Sequence, residues 1–275
     1  MSKRKPFVCL FVLLLLVGCA KEPIQVRMLK SMEELERVYI PAFIFTSLQK
    51  PRESEVAVER LANEWRDFYR KYYKVKMTYG MNITDKLWRE DFDNINARLA
   101  SAEGYVKEKK LPAAYEKLEG VRYILLALRH RNGLDYFLDG LIEFNAALDK
   151  IIFSLKGKGR LTEMDVHVFR DLLKEAQAGL TRVEAAGADF KVFDLDDNKI
   201  VAIKERIKEE QKLLALFAAA LSARKTDRIS QSARDLKPNF IVLYKAFGDF
   251  QPVFDQVVKE RKEMESQEKE RTKND

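Results

Sequence analysis

The sequence predicts an all-α protein built from about eight antiparallel helices. Apolar residues recur at alternating spacings of three and four in eight segments, which is the period of one helix face. The 11 Gly and 7 Pro residues fall mostly between these segments, where they begin or end helices. No alternating apolar and polar run is long enough for a strand. Since short loops make consecutive helices antiparallel neighbours, we expect either two up-down four-helix units or one elongated array.

The first predicted helix begins at a capping box formed by Ser31 and Glu34. It ends near Gln49, and Pro41 is expected to kink or split it. We call the line of apolar residues that marks the core face of a helix its seam. The seams of the next three helices run from Val58 to Val75, from Trp88 to Val106 and from Leu111 to Leu128. We assign residues 31–132 to an N-terminal helical bundle.

Asn132 and Gly133 form a stop signal, after which four further seams predict a C-terminal bundle over residues 133–255. Pro238 indicates that the eighth helix is kinked or starts late. Residues 256–275 form a charged tail. From about Met264 the residues are nearly all charged or polar and cannot bury a face, so we expect a frayed helix or disorder there. The four seams run from Leu134 to Leu155, Val166 to Val183, Ile200 to Leu221 and Ala233 to Phe250.

The second and eighth seams are related by an offset of 175 residues. This offset places Val58, Leu61 and Trp65 on Ala233, Leu236 and Phe240. Two interpretations stay open: duplication of a helical hairpin, or the general tendency of any two heptad seams to align.

The N-terminus has the three parts of an export signal. Basic residues at positions 3–5 precede an apolar stretch over residues 7–17. This stretch is shorter than the roughly 20 residues that a membrane-spanning helix needs. It ends in Leu16-Val17-Gly18-Cys19, which resembles the lipobox of bacterial lipoproteins. The resemblance implies removal of residues 1–18, diacylglyceryl attachment to Cys19 and a lipidated tether over residues 19–30.

The resemblance also implies a location in the cell envelope, facing the periplasm. Ala20 follows Cys19, and the absence of Asp at that position favours the outer membrane over the inner one. Cys9 would leave with the signal, so the mature body would have no thiol and no disulfide. Basic and acidic residues interleave along the chain, and removal of positions 3–5 lowers the net charge of +7 to +4. Nucleic acid is therefore not an expected partner.

The two histidines do not belong to a familiar metal motif. The residues three positions after His130 and His167 are Gly133 and Arg170, not the Glu of a His-x-x-Glu site. We interpret His130 as a cation at a helix C-terminus and His167 as a residue at the edge of a seam. The spacing of the Met and His residues selects no pair of haem ligands.

One acidic segment partly matches a calcium-binding loop. Asp194, Asp196, Asn198 and Glu205 occupy positions 1, 3, 5 and 12 of an EF-hand, but position 6 is Lys199 where that motif has Gly. The favoured interpretation is that these Asp residues cap the seventh helix.

We therefore expect a non-catalytic, lipid-anchored protein that binds an envelope protein as a scaffold or accessory subunit, with no cofactor. The alternative is a periplasmic bundle that binds a small ligand or a cofactor, haem or metal, between its helices. A cavity lined by converging polar groups would favour the alternative, whereas a filled core with an exposed apolar patch would favour the scaffold.

Overall fold

The computed structural model describes residues 22–79, 83–156, 158, 161–185 and 195–274. Within these ranges the chain forms nine helices and one minimal hairpin, which confirms the all-α class. The strands β1 (Thr78–Tyr79) and β2 (Ile83–Thr84) pair antiparallel. The helices are α1 (Ile24–Ser47), α2 (Pro51–Tyr72), α3 (Trp88–Lys107), α4 (Leu111–Arg131), α5 (Leu138–Leu155), α6 (Glu163–Ala185), α7 (Asp197–Ala223), α8 (Thr226–Lys245) and α9 (Gln251–Asn274).

The first eight helices form two layers of four. One layer has the order α2, α1, α8, α7, and the other has the order α3, α4, α5, α6. Each helix packs on its sequence neighbour and on the helix facing it, so α1–α4 and α5–α8 are both four-helix units. A single hydrophobic core passes through both units. The two architectures that the sequence left open are therefore combined: two four-helix units pack side by side, through α1 with α8 and α4 with α5, in one elongated array.

The array has two ends with different loops. The near end holds the first turn of α1, beside the C-terminus of α2, where the Tyr72 hydroxyl donates to the Arg27 carbonyl at 3.0 Å. Because consecutive helices alternate in direction, the loops after α2, α4, α6 and α8 also lie at the near end. The far end holds the loops after α1, α3, α5 and α7.

Three far-end turns place a non-glycine residue in the left-handed region. These residues are Gln49, Lys109 and Arg224, with φ of 52°, 57° and 53°. In the first two turns the next residue donates its N–H to the carbonyl five positions back, which completes a Schellman motif. Gln49 and Arg224 differ by 175 positions, so the two hairpins related by the sequence offset have a left-handed residue at the same place in their turns.

The first helix begins earlier than predicted. α1 starts at Ile24, so residues 24–30 are helical and not part of a tether. Met28 is fully buried and explains the longer helix, because residues before Ser31 already contribute to the core. Ser31 lies inside the helix, where its hydroxyl bonds that of Tyr72 at 3.0 Å instead of capping. α1 continues through Pro41.

The charged tail is helical, which is one of the two states expected for it, but the helix begins earlier than the tail was predicted to begin. Residues 251–274 form a ninth helix, which begins within the predicted C-terminal bundle. Its first turns pack on the array through Val253, which is buried, and through Phe254, whose ring centroid lies 5.6 Å from that of Phe45. Arg52 donates to Glu260 at 2.8 Å. Residues 261–271 are all exposed, so this part of α9 extends along the surface without burying a face.

Candidate functional site

A surface groove lies at the far end between the last turns of α5 and the first turns of α8. Its volume is about 610 Å³, and a second concavity continues it toward the start of α8. The groove exists because α5 and α8 run antiparallel on facing layers and no further helix of the described chain covers them there. It is lined by Asp149, Ile152, Phe153, Leu155, Lys156, Ser230, Ala233 and Arg234.

The floor of the groove is apolar. Phe153 is 78 % exposed, which is the largest exposure of any large hydrophobic side chain in the described residues. Ile152 and Leu155 are half-buried beside it. Full burial of one such side chain contributes about 1.5–3 kcal/mol, so this floor would favour contact with a second apolar surface.

The rim of the groove is basic. Lys156, Arg228 and Arg234 line it without an acidic partner among the described residues, and Arg234 donates to Gln231 at 3.1 Å. The nearby carboxylate of Asp149 is already bonded by Lys237. Asp227 also lines the second concavity, so the groove combines an apolar floor with a rim that carries both signs of charge and an excess of positive charge.

A second distinctive feature is a buried polar layer at the junction of the two units. Arg129 of α4 donates from Nε to both carboxylate oxygens of Asp139 of α5, at 2.9 and 3.0 Å. The Tyr244 hydroxyl donates to Glu36 at 2.9 Å. Arg122 is 1 % exposed, and its guanidinium carbon lies 4.6 Å from the ring centroid of Phe43. This layer joins α1, α4, α5 and α8 at the centre of the array.

The electrostatics of this layer follow from burial. Desolvation raises the pKa of Glu36, and the positive field of Arg129 opposes the rise. Burial would lower the pKa of Arg129, but the carboxylate of Asp139 raises it above its ordinary value, so Arg129 stays charged. The sequence offered a signal that we did not use: Arg122 and Arg129 each follow a seam residue of the fourth helix directly.

The near end has a pocket of about 480 Å³ between the α4–α5 loop and the end of α6. His130, Asp139 and Arg182 line it. His130 Nε2 lies 3.4 Å from Glu143, and Arg182 also pairs with Glu143. Two further polar residues, Asp135 and Tyr136, also line the pocket, and the Tyr136 hydroxyl is buried without a hydrogen-bond partner in the described structure. The tightly paired charges are consistent with a structural role.

Among the predicted site residues that the structure describes, Asp196, Asn198 and Glu205 lie along the start of α7 and do not converge on one point. Cys19 and Asp194 lie outside the described residues. The Asp196 carboxylate accepts from the Lys199 N–H at 2.8 Å and caps α7, as the favoured interpretation has it. Asn198 and Glu205 both lie on the continuous helix α7, so they do not form the loop that an EF-hand requires.

The histidines lie apart and are exposed. His167 pairs only with Asp171, at 3.2 Å on its own helix α6, whereas His130 is on α4. Within the part of the chain that the structure describes, no cluster of three or more His, Cys, Asp or Glu residues is arranged to hold a metal ion.

None of the described helices is both long and apolar enough to cross a bilayer. Comparison with protein-family models, with curated proteins and with solved structures gives no match. The function is therefore inferred from the residues and their geometry alone.

Proposed function

We propose that this chain is a non-catalytic lipoprotein that is anchored through Cys19 and binds an envelope protein in the α5–α8 groove. The observation that carries the proposal is the exposed Phe153 on an apolar floor with a basic rim. The occupant that fits is an amphipathic segment of a partner protein with an apolar seam and acidic flanks, because such a segment matches both the floor and the rim.

The position of the groove supports this proposal. It lies at the far end, whereas the chain that leads back to Cys19 leaves from the near end at Ile24. A protein held to a lipid surface by its N-terminus would therefore present the groove away from that surface, where an envelope partner has access to it.

The alternative of a small-ligand or cofactor bundle is less well supported. Most charges that line the near-end pocket already have partners, such as Arg182 with Glu143, although the buried Tyr136 hydroxyl there has none in the described structure. The methionines of α1 are buried in the core of the first unit, with Met28 and Met32 at 0 % and 1 % exposure, whereas both histidines are exposed. The α1 methionines are therefore separated from both histidines, and Met164, which is three positions before His167 on α6, is 72 % exposed and not inside the bundle.

The anchor is tested by replacing the thiol. The full chain and its Cys19→Ser variant are expressed in bacteria, and their distribution between membrane and soluble fractions is compared. We expect the wild type in the membrane fraction and the variant outside it, because two acyl chains are needed for stable attachment. Retention of the variant in the membrane fraction would exclude the anchor.

The groove is tested with a defined probe. A fluorescein-labelled helical peptide with a Leu seam and Glu flanks is titrated with the mature chain, and fluorescence anisotropy reports binding. We expect Phe153→Ser to weaken binding at least about tenfold, since the lost burial is worth about 1.5–3 kcal/mol. The separate variant Arg234→Glu is also expected to weaken binding, because the new carboxylate repels the Glu flanks of the peptide.

The matched control is Leu216→Ser, because Leu216 is an apolar side chain on α7 that is 61 % exposed and does not line the groove. We expect it to leave the affinity unchanged. The same peptide with Lys in place of Glu should bind more weakly. Equal loss in Phe153→Ser and Leu216→Ser, or equal binding of the two peptides, would refute the groove as the binding surface.

A further inference from the structure

The loop between α2 and α3 concentrates positive charge at the near end. Positions 70–89 contain six basic residues and a single acidic one, Asp85. Lys71, Lys74, Lys76 and Lys86 are exposed, and within the described residues none of them forms an ion pair. A second run of basic residues without an acidic one lies at positions 150–162, so the α2–α3 segment is one of two such runs and is the one next to the start of α1.

The one acidic residue of this segment is neutralised internally. Asp85 is 6 % exposed, and it accepts from Arg131 Nε at 2.9 Å and from Asn132 Nδ2 at 2.7 Å. It also accepts from the Leu87 N–H at 3.0 Å within the loop. The bonds from Arg131 and Asn132 fix the loop against the end of α4. The loop therefore has a rigid base, and its outward side chains carry charge of one sign only.

The basic loop lies beside the start of α1. Tyr72, between Lys71 and Tyr73, contacts both the Arg27 carbonyl and the Ser31 hydroxyl at 3.0 Å. Trp88 Nε1 donates to the Tyr72 carbonyl at 3.0 Å and closes the loop. Arg27 is also exposed on the first turn of α1. The positive charge is thus held next to the point where the chain emerges from the fold toward Cys19.

The connection between Cys19 and the fold is short. Four residues, 20–23, separate Cys19 from the start of α1, and an extended chain spans at most about 3.3–3.6 Å per residue. If Cys19 carries lipid, as the proposed function has it, the near end stays within about 15 Å of the headgroups. Side chains at that end then reach the region in which surface charge acts at physiological ionic strength.

We propose that the basic loop, through Lys71, Lys74, Lys76 and Lys86, binds the anionic phospholipid headgroups of the membrane that holds the anchor. Leu87, which is 46 % exposed between Lys86 and the buried Trp88, would enter the interface beside them. This contact would orient the array, with its near end on the membrane and its groove facing away. Only the orientation depends on the proposed lipid anchor. Binding of the basic loop to anionic headgroups does not depend on it.

The test uses the chain from residue 20 onward without lipid. This chain keeps every described contact, because the described fold begins at residue 22. It is sedimented with large vesicles of phosphatidylcholine, either alone or with about a third phosphatidylglycerol. We expect binding to the anionic vesicles only, and a loss of binding as salt is raised.

The variant K71Q/K74Q/K76Q removes three of the loop charges. Each lysine near an anionic surface contributes about a fivefold increase in partitioning, so we expect a loss of about 100-fold. The matched control, K204Q/K208Q/K212Q, removes three exposed lysines from the side of α7 and should change partitioning by less than about fivefold. Circular dichroism confirms that both variants keep their helices.

Three outcomes would overturn the proposal. They are absence of binding to anionic vesicles, equal binding to both vesicle types, and equal loss in the two triple variants. An acidic protein that binds the loop while anionic vesicles do not would also overturn it. Because the lipid-free chain is used, none of these results depends on whether Cys19 is acylated or on whether the groove binds a protein.

Discussion

Glu210 should make the protein more stable in mild acid than at neutral pH. It occupies a seam position of α7, between Ile207 and Leu214, and it is fully buried. Its only hydrogen bond in the described structure comes from the Asn239 amide, and its Oε1 has no partner. Desolvation raises its pKa from 4.5 to about 7. We expect Glu210→Gln to stabilise the protein at pH 8.

The magnitude follows from the pKa. A carboxyl group whose pKa is raised in the fold favours folding while it is protonated, so its contribution is complete below pH 4.5 and is lost as the pH rises to about 7. At about 1.4 kcal/mol per pH unit, the loss is about 3 kcal/mol. The side-chain amide that Glu210→Gln introduces would leave one buried donor unsatisfied, which costs about 1 kcal/mol. The expected net gain at pH 8 is therefore about 2 kcal/mol.

The assay is urea unfolding followed by far-ultraviolet circular dichroism at pH 5 and pH 8. The quantity compared is the difference between the free energies of unfolding of the variant and the wild type, since this difference removes the contribution of other titrating groups. Glu205→Gln is the control, because Glu205 is an exposed carboxylate on the same helix, whereas the neighbouring Glu209 itself raises the pKa of Glu210. This effect of Glu210 would be refuted if the difference in free energy of unfolding between Glu210→Gln and the wild type were the same at both pH values. It would also be refuted if Glu210→Gln were less stable than the wild type at pH 8.

Four further changes can be measured as shifts of the melting temperature, with about 2–4 °C per kcal/mol for a chain of this size. Lys109→Gly should stabilise by about 0.5–1 kcal/mol, because φ at this position is 57°; destabilisation would contradict the left-handed turn. Gly179→Ala should destabilise by about 2 kcal/mol or more, because its Cβ would lie 2.6 Å from the Gly140 carbonyl oxygen. Gly104→Ala, where a Cβ meets nothing within 4 Å, should instead stabilise by about 0.5–1 kcal/mol; equal effects in these two glycine variants would disprove the close crossing of α5 and α6. Arg129→Met should cost about 3–5 kcal/mol by leaving Asp139 buried without its partner. Adding Asp139→Leu should restore most of that loss, and a double variant no better than the single one would contradict the pairing.

The seams determined how much of the fold could be predicted. Heptad spacing identified the core face of each of the first eight helices, because burial of that face dominates helix packing. It did not place the start of α1, since that start depends on tertiary burial of residues such as Met28, which lies outside a clear seam. The ninth helix was missed for a similar reason, because only its first turns, around Val253, pack on the array.

The candidate site was harder to predict than the fold. The groove arises where α5 and α8 face each other although they are far apart in sequence, and seam spacing does not determine which helices become neighbours. Phe153 lies close to Ile151, a fully buried seam residue, so its own exposure follows from the helix period. The basic loop could have been found by counting charges over a window, because positions 70–89 are unusual in sequence alone.

The left-handed turn position shared by Gln49 and Arg224 bears on how such an array could lengthen. The helices of this layer lie in the order α2, α1, α8, α7, and the offset pairs α1 with α7 and α2 with α8. The first hairpin is therefore superimposed on the second by a shift along the layer and not by a rotation about the centre of the layer. Repeating such a shift gives an open row of hairpins, whereas repeating a rotation gives a closed ring. Helical hairpins could therefore be added or removed at the open sides, and proteins built on this plan should differ in length by whole hairpins.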